Sequence, residues 1–200
     1  SFRYDKRGAA KSTGEFYTAG QTEFLADAVA CLDHFAGDQR FGKRFVLGYS
    51  EGTVVAARLS LERLIDGLVL LAPLMEDAEQ SLMKQAMRLE EALREMRGPG
   101  GAVARLLSLL SGGPVASQRR LIARIKATDE PTFRQRLQRV DAKSLREIMA
   151  LDLAAIYARV RVPALVIGGS KDIQCNPADA GRIEAAIGPG ATAVVVDDLT

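Results

Sequence analysis

Gly48, Ser50 and Gly52 take alternate places in Gly48-Tyr49-Ser50-Glu51-Gly52, a G-x-S-x-G pattern. An apolar run (Phe45, Val46, Leu47) precedes it, and small and apolar residues at helical density (Val54, Val55, Ala56, Ala57, Leu59) follow. The chemistry this spacing suits is attack of a serine hydroxyl on a carbonyl carbon. Such a serine stands on a sharp strand-to-helix turn, and the residues two before and two after it are expected to be glycine because a larger side chain would clash. The helix that follows aims its positive N-terminus at the site, so the backbone N–H of Glu51 becomes a donor to the developing oxyanion. Ser50 is therefore the expected nucleophile, Glu51 an oxyanion donor through its backbone, and Gly48 and Gly52 the structural residues of the turn.

A turn of this kind needs a sheet behind it, and the chain alternates accordingly. Residues 1–4 read as the end of a strand and 5–20 as a Gly- and Lys-containing loop. Phe24, Leu25, Ala28, Val29, Leu32 and Phe35 recur at helical spacing, which predicts an amphipathic helix over about 22–36. A strand is expected over 43–48, and fully buried strands over 67–73, 162–168 and 191–196. Strands separated by helices imply a mostly parallel α/β sheet. From Met75 to Arg159 no strand-like run occurs, only helical pattern broken at Gly98-Pro99-Gly100-Gly101, at Gly112-Gly113-Pro114 and around Pro131. This stretch is expected to form a helical cap, residues 75–159, inserted into a core made of 1–74 and 160–200. Its first helix carries Leu82, Met83, Ala86, Leu89, Leu93 and Met96 as a stripe expected to pack on the domain beneath. Residues 117–146 hold nine Arg or Lys against three acids and read as solvated helix faces.

Bulk composition excludes several classes. The 200 residues are 48% hydrophobic and 26% charged, enough for one domain with a sizeable core, and no apolar stretch approaches the roughly 20 residues that span a bilayer. A formal charge of +2, with no basic cluster interleaved with aromatics, gives no reason to expect a nucleic-acid partner. Cys31 and Cys175 belong to no metal or redox spacing, so free thiols are expected and neither a metal nor a cofactor. The first residue is Ser1, with no signal-peptide pattern after it, and compartment is left open.

Three segments together resemble the α/β-hydrolase superfamily: Arg3-Tyr4-Asp5-Lys6-Arg7-Gly8 with Lys11-Ser12-Thr13-Gly14, the Gly-Tyr-Ser-Glu-Gly turn, and the run from Val162 to Gln174. The likeness is to the serine-aminopeptidase-like (S33-type) branch of esterases and lysophospholipase-type enzymes, and it covers both flanks of the cap. It implies that Asp172, in a turn after a buried strand, is the triad acid, and that Asp5 to Gly8 buttress the site. It also implies a histidine following the last strand and a second oxyanion N–H from a loop before the elbow strand. Neither is found within 1–200, so the histidine is expected after Thr200, the loop before Ser1, and strand 43–48 at an open sheet edge. Ala10, Thr53 and Cys175-Asn176-Pro177 depart from the family pattern, which more often has glycine, glycine and Val-Pro there. The sole histidine, His34, precedes both Ser50 and Asp172 on a flanking helix and reads as a surface residue. Gly37 to Lys43 satisfies G-x-x-x-x-G-K, but it lies between a helix and a strand, the wrong order for a phosphate loop. The expected function is hydrolysis of a small-molecule carboxylic ester. An aminopeptidase, thioesterase or acyltransferase would use the same residues, and a non-catalytic hydrolase-fold binding protein is the rival from another class.

Overall fold

A computed structural model describes residues 1–38, 40, 42–110, 112–135 and 138–199 of the chain. Four strands, β1 (Phe45–Tyr49), β2 (Gly67–Leu71), β3 (Ala164–Gly169) and β4 (Ala191–Val196), form one sheet in the order β1-β2-β3-β4, every neighbouring pair parallel. Helices α1 (Gln21–His34), α2 (Glu51–Glu62), α7 (Leu153–Ala158) and α8 (Asp179–Ile187) accompany the sheet. Between β2 and β3 the chain builds α3 (Ala78–Glu95), α4 (Gly98–Leu110), α5 (Pro114–Ala127), two short strands and α6 (Ala142–Met149).

The core forms on one face of the sheet. Leu68, Leu70, Ala164 and Val166 project into it and meet Val54, Ala56 and Ala57 of α2, Leu153 and Tyr157 of α7, and Ala180 and Ile183 of α8. Continuous apolar runs suit such strands, because a parallel sheet is built to be buried. β4 lacks the full burial expected of it: it is the other edge strand, and Val194, Val195 and Val196 are exposed. The opposite face is open along β1, where Phe45, Leu47 and Tyr49 are 63%, 61% and 68% exposed. As the sequence reading expects, β1 is also an edge strand.

Several expectations need correction. Residues 1–4 form no strand, because no neighbouring strand pairs with them; Phe2 instead stacks edge-on against Phe35. The helix expected at 22–36 runs Gln21–His34, and the strand expected at 43–48 is shifted to take in Tyr49. The middle stretch is not purely helical: Thr132–Gln135 and Gln138–Asp141 pair antiparallel. Each of these strands is four residues long with one large apolar side chain, Phe133 opposite Val140, too little for an alternation signal. The stripe on α3 does not pack on the domain beneath. Of its members only Ala86 is buried, Leu89 and Met96 are 54% and 46% exposed, and Leu82, Ala86 and Leu89 face Pro114 and Leu121 of α5 across a cleft of about 330 Å³. The polar Gln85 and Arg88 of α3 instead reach the loop after β3. In the basic run, Arg119, Arg120 and Arg124 are exposed as expected, whereas Arg146 turns inward to donate to the Thr128 carbonyl at 2.7 Å. The G-x-x-x-x-G-K segment includes Gln39 and Phe41, which lie outside the described residues.

Candidate active site

Ser50 joins β1 to α2 with φ 50° and ψ −120°, a conformation that costs a non-glycine residue on the order of 1–3 kcal/mol and persists only where its surroundings impose it. Those surroundings are explicit. The Ser50 N–H donates to the Leu71 carbonyl at 2.9 Å, which extends the β1–β2 ladder into the turn. Its carbonyl accepts from the Thr53 N–H at 2.9 Å and from the Thr53 hydroxyl at 2.6 Å. The Thr53 oxygen in turn accepts from the Tyr157 hydroxyl at 3.2 Å, and both side chains are fully buried. Desolvation, the largest effect, raises the Tyr157 pKa well above the ordinary phenol range, which keeps it a neutral donor. Thr53 departs from the family's frequent glycine, and this relay is the work its hydroxyl does.

The two glycines of the turn are not equivalent. A Cβ on Gly48 would lie 2.3 Å from the Gly52 carbonyl oxygen and 2.8 Å from the Thr53 Cα, so strand and helix touch backbone to backbone there. A Cβ on Gly52 would meet nothing within 4 Å, which corrects the expectation of a clash on both sides: the turn curls its helix over Gly48 and leaves Gly52 facing open space. Gly48→Ala is accordingly expected to lower stability by about 3 kcal/mol, since the obstructing atoms are main chain and cannot rotate away. Gly52→Ala is expected to be neutral or to stabilise by about 0.5–1 kcal/mol, as alanine does in a helix. Urea unfolding of both variants checks the contrast, and equal losses would contradict it.

Asp172 lies in the loop after β3, at the same C-terminal edge of the sheet as Ser50. Its Oδ1 accepts from the backbone N–H groups of Gln174 and Cys175 at 2.8 and 2.9 Å, while no described side chain donates to Oδ2. These bonds curl the loop so that the buried Cys175 side chain meets the Ser50 hydroxyl. Burial most of all, and then the negative charge of Asp172, push the Cys175 thiol pKa up; its hydrogen bond to the Ser50 side chain pulls the other way. The loop that carries Asp172 therefore reaches the serine through Cys175. From above, α3 holds this loop: Gln85 donates to the Gln174 carbonyl at 3.5 Å and Arg88 to the Ile173 carbonyl at 2.7 Å.

The Glu51 side chain gathers three elements around the turn. Its Oε2 accepts from Lys6 Nζ at 2.8 Å, and its Oε1 from Gln21 Nε2 at 2.6 Å and from the Ser144 hydroxyl at 3.1 Å. Lys6 belongs to the loop that resembles the family's buttress. Next to it, Arg7 grips Asp27 of α1 with two bonds of 2.5 and 2.8 Å. Ala10 in the same loop holds φ 46°, the left-handed region that the family's usual glycine would adopt freely. Asp179, 1% exposed, accepts from the N–H groups of Met75 and Glu76, both at 3.0 Å, and so pins the chain where it leaves β2.

His34 is exposed at the C-terminal end of α1, whereas Gln21, which reaches Glu51, begins that helix. At 1.5 Å per residue the two ends are about 20 Å apart, so the structure does not bring His34 to Ser50. Among the described residues no group of His, Cys, Asp and Glu could hold a metal ion, and no helix is long and apolar enough to cross a membrane.

The relay through Thr53 and Tyr157, the Glu51 side-chain contacts and the Asp179 anchor were not found from sequence. Only Thr53 carried a signal, as a departure from pattern; Tyr157 and Asp179 act on residues 104 positions away.

A parallel sheet whose first strand ends in a strained serine at a helix N-terminus defines an α/β-hydrolase fold. The chain belongs to the serine aminopeptidase, S33, family, whose model matches residues 1–199. Among solved structures it is similar to the monoacylglycerol lipase of Paleococcus ferrophilus, with 18% identity, a TM-score of 0.58, and 97% of this chain and 72% of that one covered. It is also similar to ferulic acid-bound Est1E of Butyrivibrio proteoclasticus, at 14% identity and a TM-score of 0.60, covering 95% of this chain and 64% of that one. A third similar structure is the esterase domain of a Rhodothermus marinus protein, at 13% identity and a TM-score of 0.52, covering 93% and 62%. The chain thus spans about two thirds of the lengths of the structures it matches. No curated protein matches it.

Proposed function

We propose that the chain carries the nucleophile and the acid of a serine hydrolase acting on carboxylic esters. Ser50 attacks the carbonyl, the N–H of Glu51 receives part of the oxyanion charge, and Asp172 orients and stabilises an imidazolium through its free Oδ2. The imidazole comes from outside residues 1–200, because a serine hydroxyl is a weak nucleophile without a base and His34 is at the wrong end of α1. A second oxyanion donor likewise comes from outside. Within the 75–159 expected for the cap, the part before α7 acts as a lid, with α3 touching the Asp172 loop, while Leu153 and Tyr157 of α7 belong to the core with 1–74 and 160–200.

The observation that carries this reading is the Ser50 backbone at φ 50° and ψ −120°, held by the Leu71 carbonyl and the Thr53–Tyr157 pair. Strain of this order is retained where a side chain must be presented, and the N-terminus of α2 lies beneath it. Two of the structural neighbours bear the names lipase and esterase, which favours an ester over a peptide bond as the substrate. The test compares p-nitrophenyl esters with aminoacyl p-nitroanilides in the protein extended at both ends. Ser50-dependent release from the esters, exceeding that from the anilides, is expected. The reverse order would assign the site to an aminopeptidase, and specific ligand binding without turnover to a non-catalytic binding protein.

A further inference from the structure

We propose that α4 is a docking face for an anionic lipid surface. The helix is inverted relative to an ordinary surface helix. Val103, Leu106, Leu107 and Leu110 fall at i, i+3, i+4 and i+7 and are 57%, 58%, 61% and 78% exposed, with Leu109 beside them at 76%. Turned inward are Gly101, which is buried, and Arg105, whose guanidinium donates to the Met96 carbonyl at 2.5 Å and so caps the end of α3. A helix that ties its half-buried arginine to a backbone carbonyl and shows its leucines is matched to an apolar medium, not to water.

Charge identifies the medium. Residues 96–128 contain six Arg or Lys and no Asp or Glu. Arg105, Arg124 and Lys126 are engaged within the fold, by the α3 carbonyls, the Phe133 ring and Glu79 respectively. Arg97, just before α4, and Arg119 and Arg120, on the helix after it, are exposed and have no carboxylate partner among the described residues. The Arg120 guanidinium lies against Gly112, two residues past the end of α4, so cations stand at both ends of the apolar stripe. An apolar helix face bracketed by unpaired arginines fits the boundary between acyl chains and anionic headgroups. A second copy of this chain would bring the same cations together and repel.

Co-sedimentation of the full chain with phosphatidylcholine vesicles, with and without phosphatidylglycerol, tests the proposal independently of any hydrolytic activity. Binding is expected to the mixed vesicles and to weaken with salt. The double variant Leu106→Ser, Leu110→Ser should lose about two orders of magnitude in partitioning. Arg119→Gln with Arg120→Gln should lose about thirtyfold on anionic vesicles and little on neutral ones. Phe45→Ser with Leu47→Ser, on the open sheet face, should bind as the unaltered chain does. Circular dichroism of each variant controls for folding, and the arginine pair stands as the second arm should the leucine pair unfold. Failure of the unaltered chain to bind anionic vesicles overturns the proposal. So does loss of binding through the Phe45 and Leu47 variant alone, or a dimer, detected by light scattering, that the leucine variant dissolves.

Discussion

Alanine at Ser50 is expected to abolish covalent labelling by an organophosphonate ester and to lower ester turnover by about six orders of magnitude in the protein with its proposed histidine present. The fold should not change, because alanine keeps the Cβ that already sits at φ 50° and removes only the hydroxyl. The bonds that impose the turn, from the Leu71 carbonyl and from Thr53, run to the Ser50 backbone and survive the substitution. Residues 1–200 alone should hydrolyse a p-nitrophenyl ester no faster than their own Ser50→Ala variant, since each missing group is worth orders of magnitude in rate. Equal labelling of serine and alanine forms would remove Ser50 from the chemistry. Ser50-dependent turnover by the 200 residues would mean that another base serves it.

The second large effect is at Asp172, where Asp172→Asn is expected to reduce turnover by about 10⁴ with little change in stability. Asparagine keeps an oxygen for the Gln174 and Cys175 N–H groups, so the loop should hold its shape while the negative charge disappears. This separates the two things the carboxylate does. If Asp172 were only a turn-former, the asparagine variant would work nearly as well as the original, and a loss of less than tenfold would establish that. Asp172→Ala removes both roles and should add a stability loss of about 1 kcal/mol from the two orphaned N–H groups.

Local signals carried the elbow and the strands because their causes are local. The alternation of glycine around Ser50, the apolar runs of β2, β3 and β4, and the breaks at Gly98 and Gly112 are all decided by residues within a few positions of one another. Family resemblance added Asp172, which composition alone would leave as a turn aspartate. The groups that hold the site in place were beyond reach because each depends on a partner far along the chain. Nothing near Tyr157 says that its hydroxyl will meet Thr53, and nothing near Asp179 says that it will bind the Met75 and Glu76 amides. The α3 stripe misled for a related reason: periodicity identifies an apolar face but not its neighbour, and here that neighbour is α5.

Tyr157 also bears on how this architecture can be recombined. It stands in α7, at the far end of the stretch between β2 and β3, yet it is part of the main core and braces the serine turn through Thr53. Asp179 fastens the near end at Met75 and Glu76. A chimera that replaced everything from 76 to 158 would therefore discard a brace of its own catalytic turn. Crossing over after Glu76 and before Leu153 keeps both fastenings on the recipient. The interchangeable cassette is the span between them, provided that its replacement again supplies a donor to Glu51 where Ser144 stands and one to the Ile173 carbonyl where Arg88 stands.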